Sequence, residues 1–229
     1  MFPLYDDAPR YTTPYINYFL LASNILIFLF VWLSGGQQIV DIFGLKPIYV
    51  TGFLHGVSKI SFVAAFLPFL TSMFLHAGWA HLIFNMWALY IFGDNIEDYL
   101  GHFRYLMFYL TVGIAGSLLH VFMNPNAIIP SVGASGAIAG VMGAYFVLYP
   151  TARVLTWVFF IFFVWLPAWL VLGLWFVGEF LSGAATSITM STANKGGIAF
   201  WAHVGGFVSG IALIKLFPTR PRRYRYFSR

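Results

Sequence analysis

The feature that most constrains this chain is a series of six long apolar stretches: Tyr15 to Leu33, Trp79 to Glu97, Phe103 to Met123, Ser135 to Tyr149, Val154 to Leu181 and Ala199 to Phe217. A helix needs roughly 20 apolar residues to cross a ~30 Å hydrocarbon layer, and only helices or closed barrels satisfy their backbone there. Of the 229 residues, 60% are apolar and only 8% are charged, where a soluble domain carries about a quarter. The chain is therefore expected to be an all-α integral membrane protein, a six-helix bundle. Residues 1–14 form a cytoplasmic segment, 15–217 the six-span body and 218–229 a basic cytoplasmic tail.

The excess charge of +5 resides in that tail, "TRPRRYRYFSR", because the other seven basic residues balance the seven acidic ones. Directly after an apolar span, such a cluster follows the positive-inside rule and faces the cytoplasm and anionic lipid rather than nucleic acid. An even number of spans then puts both ends in the cytoplasm, in a cell's inner membrane. The opening "MFPLYDDAPRYTTPY" has two aspartates and no basic region, so it does not read as a cleaved signal peptide. Cysteine is absent, which excludes disulfides, thiolate nucleophiles and thiolate metal sites. Residues 34–78 scatter Phe43, Tyr49, Phe53, Phe62, Phe66 and Phe69 among Gly and Pro. They are expected to form a long first loop lying partly in the interface.

Depth selects the polar residues that can meet. Ser135 lies about 14 residues before the end of the fourth stretch, and His203 lies about 14 before the end of the sixth. Both distances are ~21 Å at 1.5 Å per residue. Counted back from Glu97 at the acidic end of the second stretch, Asn85 lies at ~18 Å and His81 at ~24 Å. His81 and Asn85 are spaced i, i+4 and share a helix face. Polar groups in a membrane bundle turn inward because lipid offers them no partner.

Ser135 is surrounded by Gly133, Gly136, Gly140 and Gly143, and Ala202, Gly206 and Gly210 form a small-residue stripe beside His203. Such stripes let helix backbones approach closely, which a serine–histidine contact between helices requires. Taken singly, each feature has an ordinary explanation: a serine bonding to its own helix, polar residues joining helices, glycines packing. Their agreement in depth favours a site. Glu179, near the outer end of the fifth stretch, is expected to snorkel to the interface. No histidine is followed by glutamate, as a zinc protease motif would need, and no two aspartates face each other within spans. Serine chemistry remains.

"HAGWAHLIFNM" (His76 to Met86), "GASG" (Gly133 to Gly136) and "AHVGGFVSG" (Ala202 to Gly210) resemble, in order, the signatures of the rhomboid intramembrane serine proteases. The resemblance implies Ser135 as nucleophile and His203 as its base. It also implies His81 and Asn85 as helpers of the oxyanion and a structural role for His76. The Ser135 backbone N–H is expected to join the oxyanion donors. Gly133, Gly136, Gly206 and Gly210 are the expected packing residues. Two departures stand out. Residues 34–78 hold neither Trp nor Arg, where many rhomboids carry a Trp-Arg pair, and Ala139 stands where relatives often have an aromatic beneath the histidine.

The expected activity is peptide hydrolysis within the bilayer by a Ser-His dyad with no acid, metal or cofactor, acting on single-span membrane proteins. The rival is a non-catalytic member of the same fold that binds transmembrane helices for quality control. Substrate is expected to enter past the fifth stretch, "VLTWVFFIFFVWLPAWLVLGLWF", because it lacks a small-residue stripe and Pro167 interrupts it.

Overall fold

A computed structural model describes residues 1–57, 59–159, 161–189 and 199–219. The chain is mostly helical. It opens with strand β1 (Phe2–Asp6) and helix α1 (Tyr15–Leu33), followed by four short helices: α2 (Gln37–Phe43), α3 (Pro47–Leu54), α4 (Phe62–Phe66) and α5 (Pro68–Thr71). Then come α6 (Trp79–Leu100), α7 (His102–Met123), α8 (Ser135–Leu148), strands β2 (Arg153–Val158) and β3 (Phe162–Pro167), α9 (Ala168–Thr189) and α10 (Phe200–Leu213). Among the described residues three helices, α1, α7 and α9, are long and apolar enough to cross a membrane by themselves. A fourth candidate is α6 taken with the preceding segment Phe62–Phe74, which is bent from it by 76°. Helices α8 and α10, of 14 residues each, are shorter than a full span.

Short α8 is the centre of the bundle. Every residue from Gly136 to Tyr145 is buried, and α6, α7, α9 and α10 surround it. Its closest neighbour is α10. A Cβ on Gly206 would come within 1.9 Å of the Gly136 carbonyl oxygen, and one on Gly210 within 2.0 Å of the Gly140 carbonyl oxygen. Glycine is therefore required on α10 because the opposing surface is backbone, which cannot give way. Gly136 itself is not crowded: its added Cβ would make only ordinary contacts with Ala202, the nearest at 3.4 Å.

Helix α1 packs on α6, and its start is fastened by a buried carboxylate. Glu97 accepts hydrogen bonds from the backbone N–H groups of Ile16 (3.0 Å) and Asn17 (2.7 Å). These N–H groups have no partner within their own helix, and a carboxylate there also opposes the helix dipole favourably. His102 donates to the same carboxylate at 2.5 Å. Asp94 and Asp98, the rest of this acidic cluster, hold Arg10 and Thr12. Residues 8–12 are thus bound to the bundle along its acidic end.

The fifth apolar stretch differs from expectation. Val154 does not begin a helix: it lies in β2, which pairs antiparallel with β3, and only Ala168 starts α9. The segment is rich in β-branched and aromatic residues that favour extended backbone, and Pro167, which cannot donate within a helix, ends β3 at the junction. β1 joins on the other side, giving an antiparallel sheet in the order β1-β2-β3. The fold is therefore not all-α. Residues 34–78 also depart from a plain loop. Their short helices gather Phe53, Phe62, Phe66 and Phe69 into one aromatic cluster. A bridge between Leu45 and Ser131 ties this region to the chain entering α8. Apart from Pro218 and Thr219, the arginine tail lies outside the described residues.

Candidate active site

Ser135 is the first residue of α8, and the chain reaches it by a turn that only glycine makes easily. Gly133 has φ of +133°, and a Cβ there would sit 2.7 Å from the His81 ring. The Gly133 N–H is held by the Ser72 carbonyl at 2.9 Å. The Ser135 hydroxyl thus emerges at a helix N-terminus, where the first backbone N–H groups lack partners in their own helix.

His203 meets it from α10. Its Nε2 lies 2.7 Å from Ser135 Oγ, a full hydrogen bond across two helices. The other ring nitrogen, Nδ1, lies 2.6 Å from Glu179 Oε2 on α9. The expectations that no acid stands near His203 and that Glu179 snorkels to the interface are both corrected by this contact. The error has a geometric source. Measured from Val154, Glu179 lies near the far end of the stretch. Counted from Ala168, Glu179 is only about 16 Å along the helix, close to the depth of His203. With the carboxylate accepting from Nδ1–H, Nε2 is left free to accept the Ser135 proton.

Trp175, one turn before Glu179, lays its ring 6.0 Å from that of His203 at an angle of 35°. It occupies the role that Ala139 on α8 is too small to fill. Trp175 and Glu179 are spaced i, i+4, so one face of α9 both supports and orients the imidazole. That spacing, in a segment whose only charge is Glu179, was the sequence signal for these two residues.

Asn85 and His81 stand across the site on α6. Asn85 is buried, and its Nδ2 has no hydrogen-bond partner among the described residues. His81 Nδ1 accepts from the Ala77 N–H at 3.4 Å. The His76 ring packs edge-on to that of His81 at 5.1 Å and is itself buried. Of the sequence-selected residues, Ser135, His203, Asn85 and His81 converge on one cavity, with Gly133 beneath His81. His76, Gly136, Gly206 and Gly210 lie behind them.

That cavity has a volume of about 830 Å³ and lies between α6, α8 and α9. Its lining runs along α6 from His81 to Phe92, about 16 Å, and is apolar apart from the site residues. A second chamber of about 20 Å³ adjoins Ser135 and is bordered by Ser72, Ser117 and Ser131. It is large enough for one water molecule and offers it polar partners.

The rhomboid domain model matches residues 63–220 of this sequence, most of the chain and all of these site residues. The chain belongs to the rhomboid family. It is 32% identical over 218 residues to rhomboid protein 1, mitochondrial, of Saccharomyces cerevisiae, covering 91% of this chain and 56% of the yeast protein. It is 35% identical over 133 residues to the rhomboid protease GluP of Bacillus subtilis, covering 57% of this chain and 24% of that protein. Rhomboid-like protein 11, chloroplastic, of Arabidopsis thaliana is 30% identical over 207 residues, covering 85% of this chain and 66% of the plant protein. The chain therefore spans between about a quarter and two thirds of the length of these relatives. Rhomboids are multi-pass membrane proteins, and the apolar helices described above are of that kind.

Proposed function

We propose that this rhomboid is an intramembrane serine endopeptidase that cleaves single-span membrane proteins within or near the bilayer. The observation that carries the proposal is the chain of short contacts Glu179–His203–Ser135, at 2.6 and 2.7 Å, beside a buried and unpaired Asn85 amide. Ser135 Oγ attacks the scissile carbonyl carbon as His203 Nε2 takes its proton, and Glu179 steadies the imidazolium formed. The oxyanion falls among the Ser135 backbone N–H, Asn85 Nδ2 and His81. His203 then returns its proton to the leaving amine. Water, for which the small chamber beside Ser135 has room, hydrolyses the acyl-enzyme by the same proton route in reverse. The expected Ser-His dyad is in this reading a triad with Glu179.

Six spans are proposed, with α8 and α10 as short members and α8 enclosed by protein from Gly136 to Tyr145, since polar backbone at membrane depth is tolerated where protein covers it. Both ends of the body and the arginine tail face the cytoplasm of a cell's inner membrane, and residues 34–78 lie outside. No metal or cofactor takes part. Substrate enters from the lipid between α6 and α9, because the cavity lies between these helices. It must unwind there to expose a peptide bond, so Gly or Pro near the bond is favoured; each weakens a helix by roughly 1 to 3 kcal/mol. The test is cleavage of a single-span substrate in proteoliposomes by the parent protein and by Ser135→Ala. Loss of cleavage in the variant is expected, and equal cleavage by both would refute the assignment.

A further inference from the structure

The cavity that holds Ser135 and His203 is also lined by Met1 and by Phe2 and Pro3 of β1. An extended apolar segment of the protein's own chain therefore already borders the cavity, between α6 and β2. Phe2 packs its ring against Phe84 and Trp87 of α6, at 5.7 and 5.8 Å, and Trp87 Nε1–H donates to the Pro3 carbonyl at 2.7 Å. On its other side β1 pairs with β2, Phe2 opposite Trp157 and Asp6 opposite Val154.

The two pairings of β2 are unequal. β2 and β3 match residue for residue from Arg153–Pro167 to Val158–Phe162. The β1 ladder is broken by an irregularity between Pro3 and Tyr5, and Pro3 has no N–H to give. β1 is the strand that can leave. A substrate unwound in this cavity brings backbone N–H and C=O groups into apolar surroundings, where each needs a partner. An exposed strand edge provides such partners by strand addition, whatever the side chains.

We infer that the edge of β2 now covered by β1, Arg153–Val158, is a docking strand for the extended segment of a membrane-embedded substrate. β1 is its resident occupant and is displaced when substrate binds. The inference rests on the proteolytic reading of Ser135 and His203 and adds where the unwound polypeptide is held. At the other end of β1, Asp7 accepts from Arg153 Nε–H at 2.7 Å and from the Arg153 backbone N–H at 2.6 Å. This exposed ion pair latches the strand to β2 away from the cavity.

The experiment locks β1 in place. Tyr5 and Leu155 are directly paired and lie outside the cavity lining, and the protein has no cysteine of its own, so Tyr5→Cys with Leu155→Cys gives a single cross-strand disulfide. Three readouts are compared in the oxidised and reduced full-length protein: cleavage of a single-span substrate in liposomes, cleavage of an unfolded soluble protein, and fluorophosphonate labelling of Ser135. The disulfide is expected to lower membrane-substrate cleavage at least tenfold, reversibly, with soluble cleavage and labelling unchanged. Asp7→Asn, which only loosens the latch, is expected to raise membrane-substrate cleavage about twofold and leave labelling unchanged. Unaltered membrane-substrate cleavage in the oxidised protein would overturn the inference by showing that β1 stays paired during turnover. Equal loss of all three readouts would overturn it as well. Absence of labelling in the reduced protein would instead refute the proteolytic reading, and the docking strand with it.

Discussion

Glu179 Oε2 and His203 Nδ1 are 2.6 Å apart although they come from α9 and α10, and the same imidazole reaches Ser135 with its other nitrogen. A carboxylate in that place fixes the tautomer and orientation of the ring and offsets the charge it acquires. Glu179→Ala is therefore expected to lower kcat about tenfold to a thousandfold with little change in KM. Glu179→Gln, which can still accept from Nδ1–H, should fall in between. Full activity in Glu179→Ala would reduce the contact to packing.

Asn85 offers a buried amide with no partner among the described residues, which is costly unless something else accepts from it. If that acceptor is the oxyanion, Asn85→Ala loses about 10²–10³ in kcat while KM stays within a fewfold. Steady-state kinetics on a single-span substrate separate this from a binding role, which would raise KM instead.

The α8–α10 contact makes an asymmetric prediction about glycines. Gly206→Ala would push a methyl into the Gly136 carbonyl, whereas Gly136→Ala meets only ordinary contacts. Overpacking of this sort typically costs 1–3 kcal/mol, roughly. Thermal unfolding in detergent should show Gly206→Ala clearly destabilised and Gly136→Ala near the parent. Gly206→Ala should also lose activity, since it separates the helices that carry Ser135 and His203.

Two carboxyls, Asp6 of β1 and Asp7 next to it, give the docking of β1 opposite pH dependences. Burial pushes the Asp6 carboxyl up to about 6, against the hydrogen bond from Tyr145. The docked strand thus binds the proton more tightly than the released one. Docking loses this contribution as pH rises from the ordinary carboxylate range through about 6 and is constant above. The Arg153 ion pair holds Asp7 below the usual range, so its contribution is present at neutral pH and disappears only in more acidic solution. Hydrogen exchange of β1 amides, corrected for intrinsic rates, should therefore show weakening protection between pH 4 and pH 6.5, roughly. Asp6→Asn should remove that trend.

Much of this was legible in the sequence, for physical reasons that also mark where it failed. The limits of α1 follow directly from hydropathy, and depth counting brought Ser135, His203, Asn85 and His81 to one level because each helix had a charged or proline marker at its end. The fifth stretch carries its proline, Pro167, in its middle, where a proline reads as a kink in a span rather than as the start of one. Strands built of Val, Trp and Phe are as apolar as a membrane helix, so Arg153–Pro167 merged with α9 and hydropathy could not separate them. The misplaced helix start hid both Glu179 and Trp175. β1 was illegible for a different reason: a short strand's partners lie about 150 residues away in β2, and nothing local announces such a pairing.

The central claim is that His203 activates Ser135, and covalent labelling tests it most directly. The protein in detergent is treated with a fluorophosphonate, and the adduct is located by mass spectrometry. A single adduct on Ser135, lost in Ser135→Ala and slowed by about a hundredfold or more in His203→Ala, is the predicted result. No adduct on Ser135 in the folded parent protein, or labelling of equal rate in His203→Ala, would contradict the account.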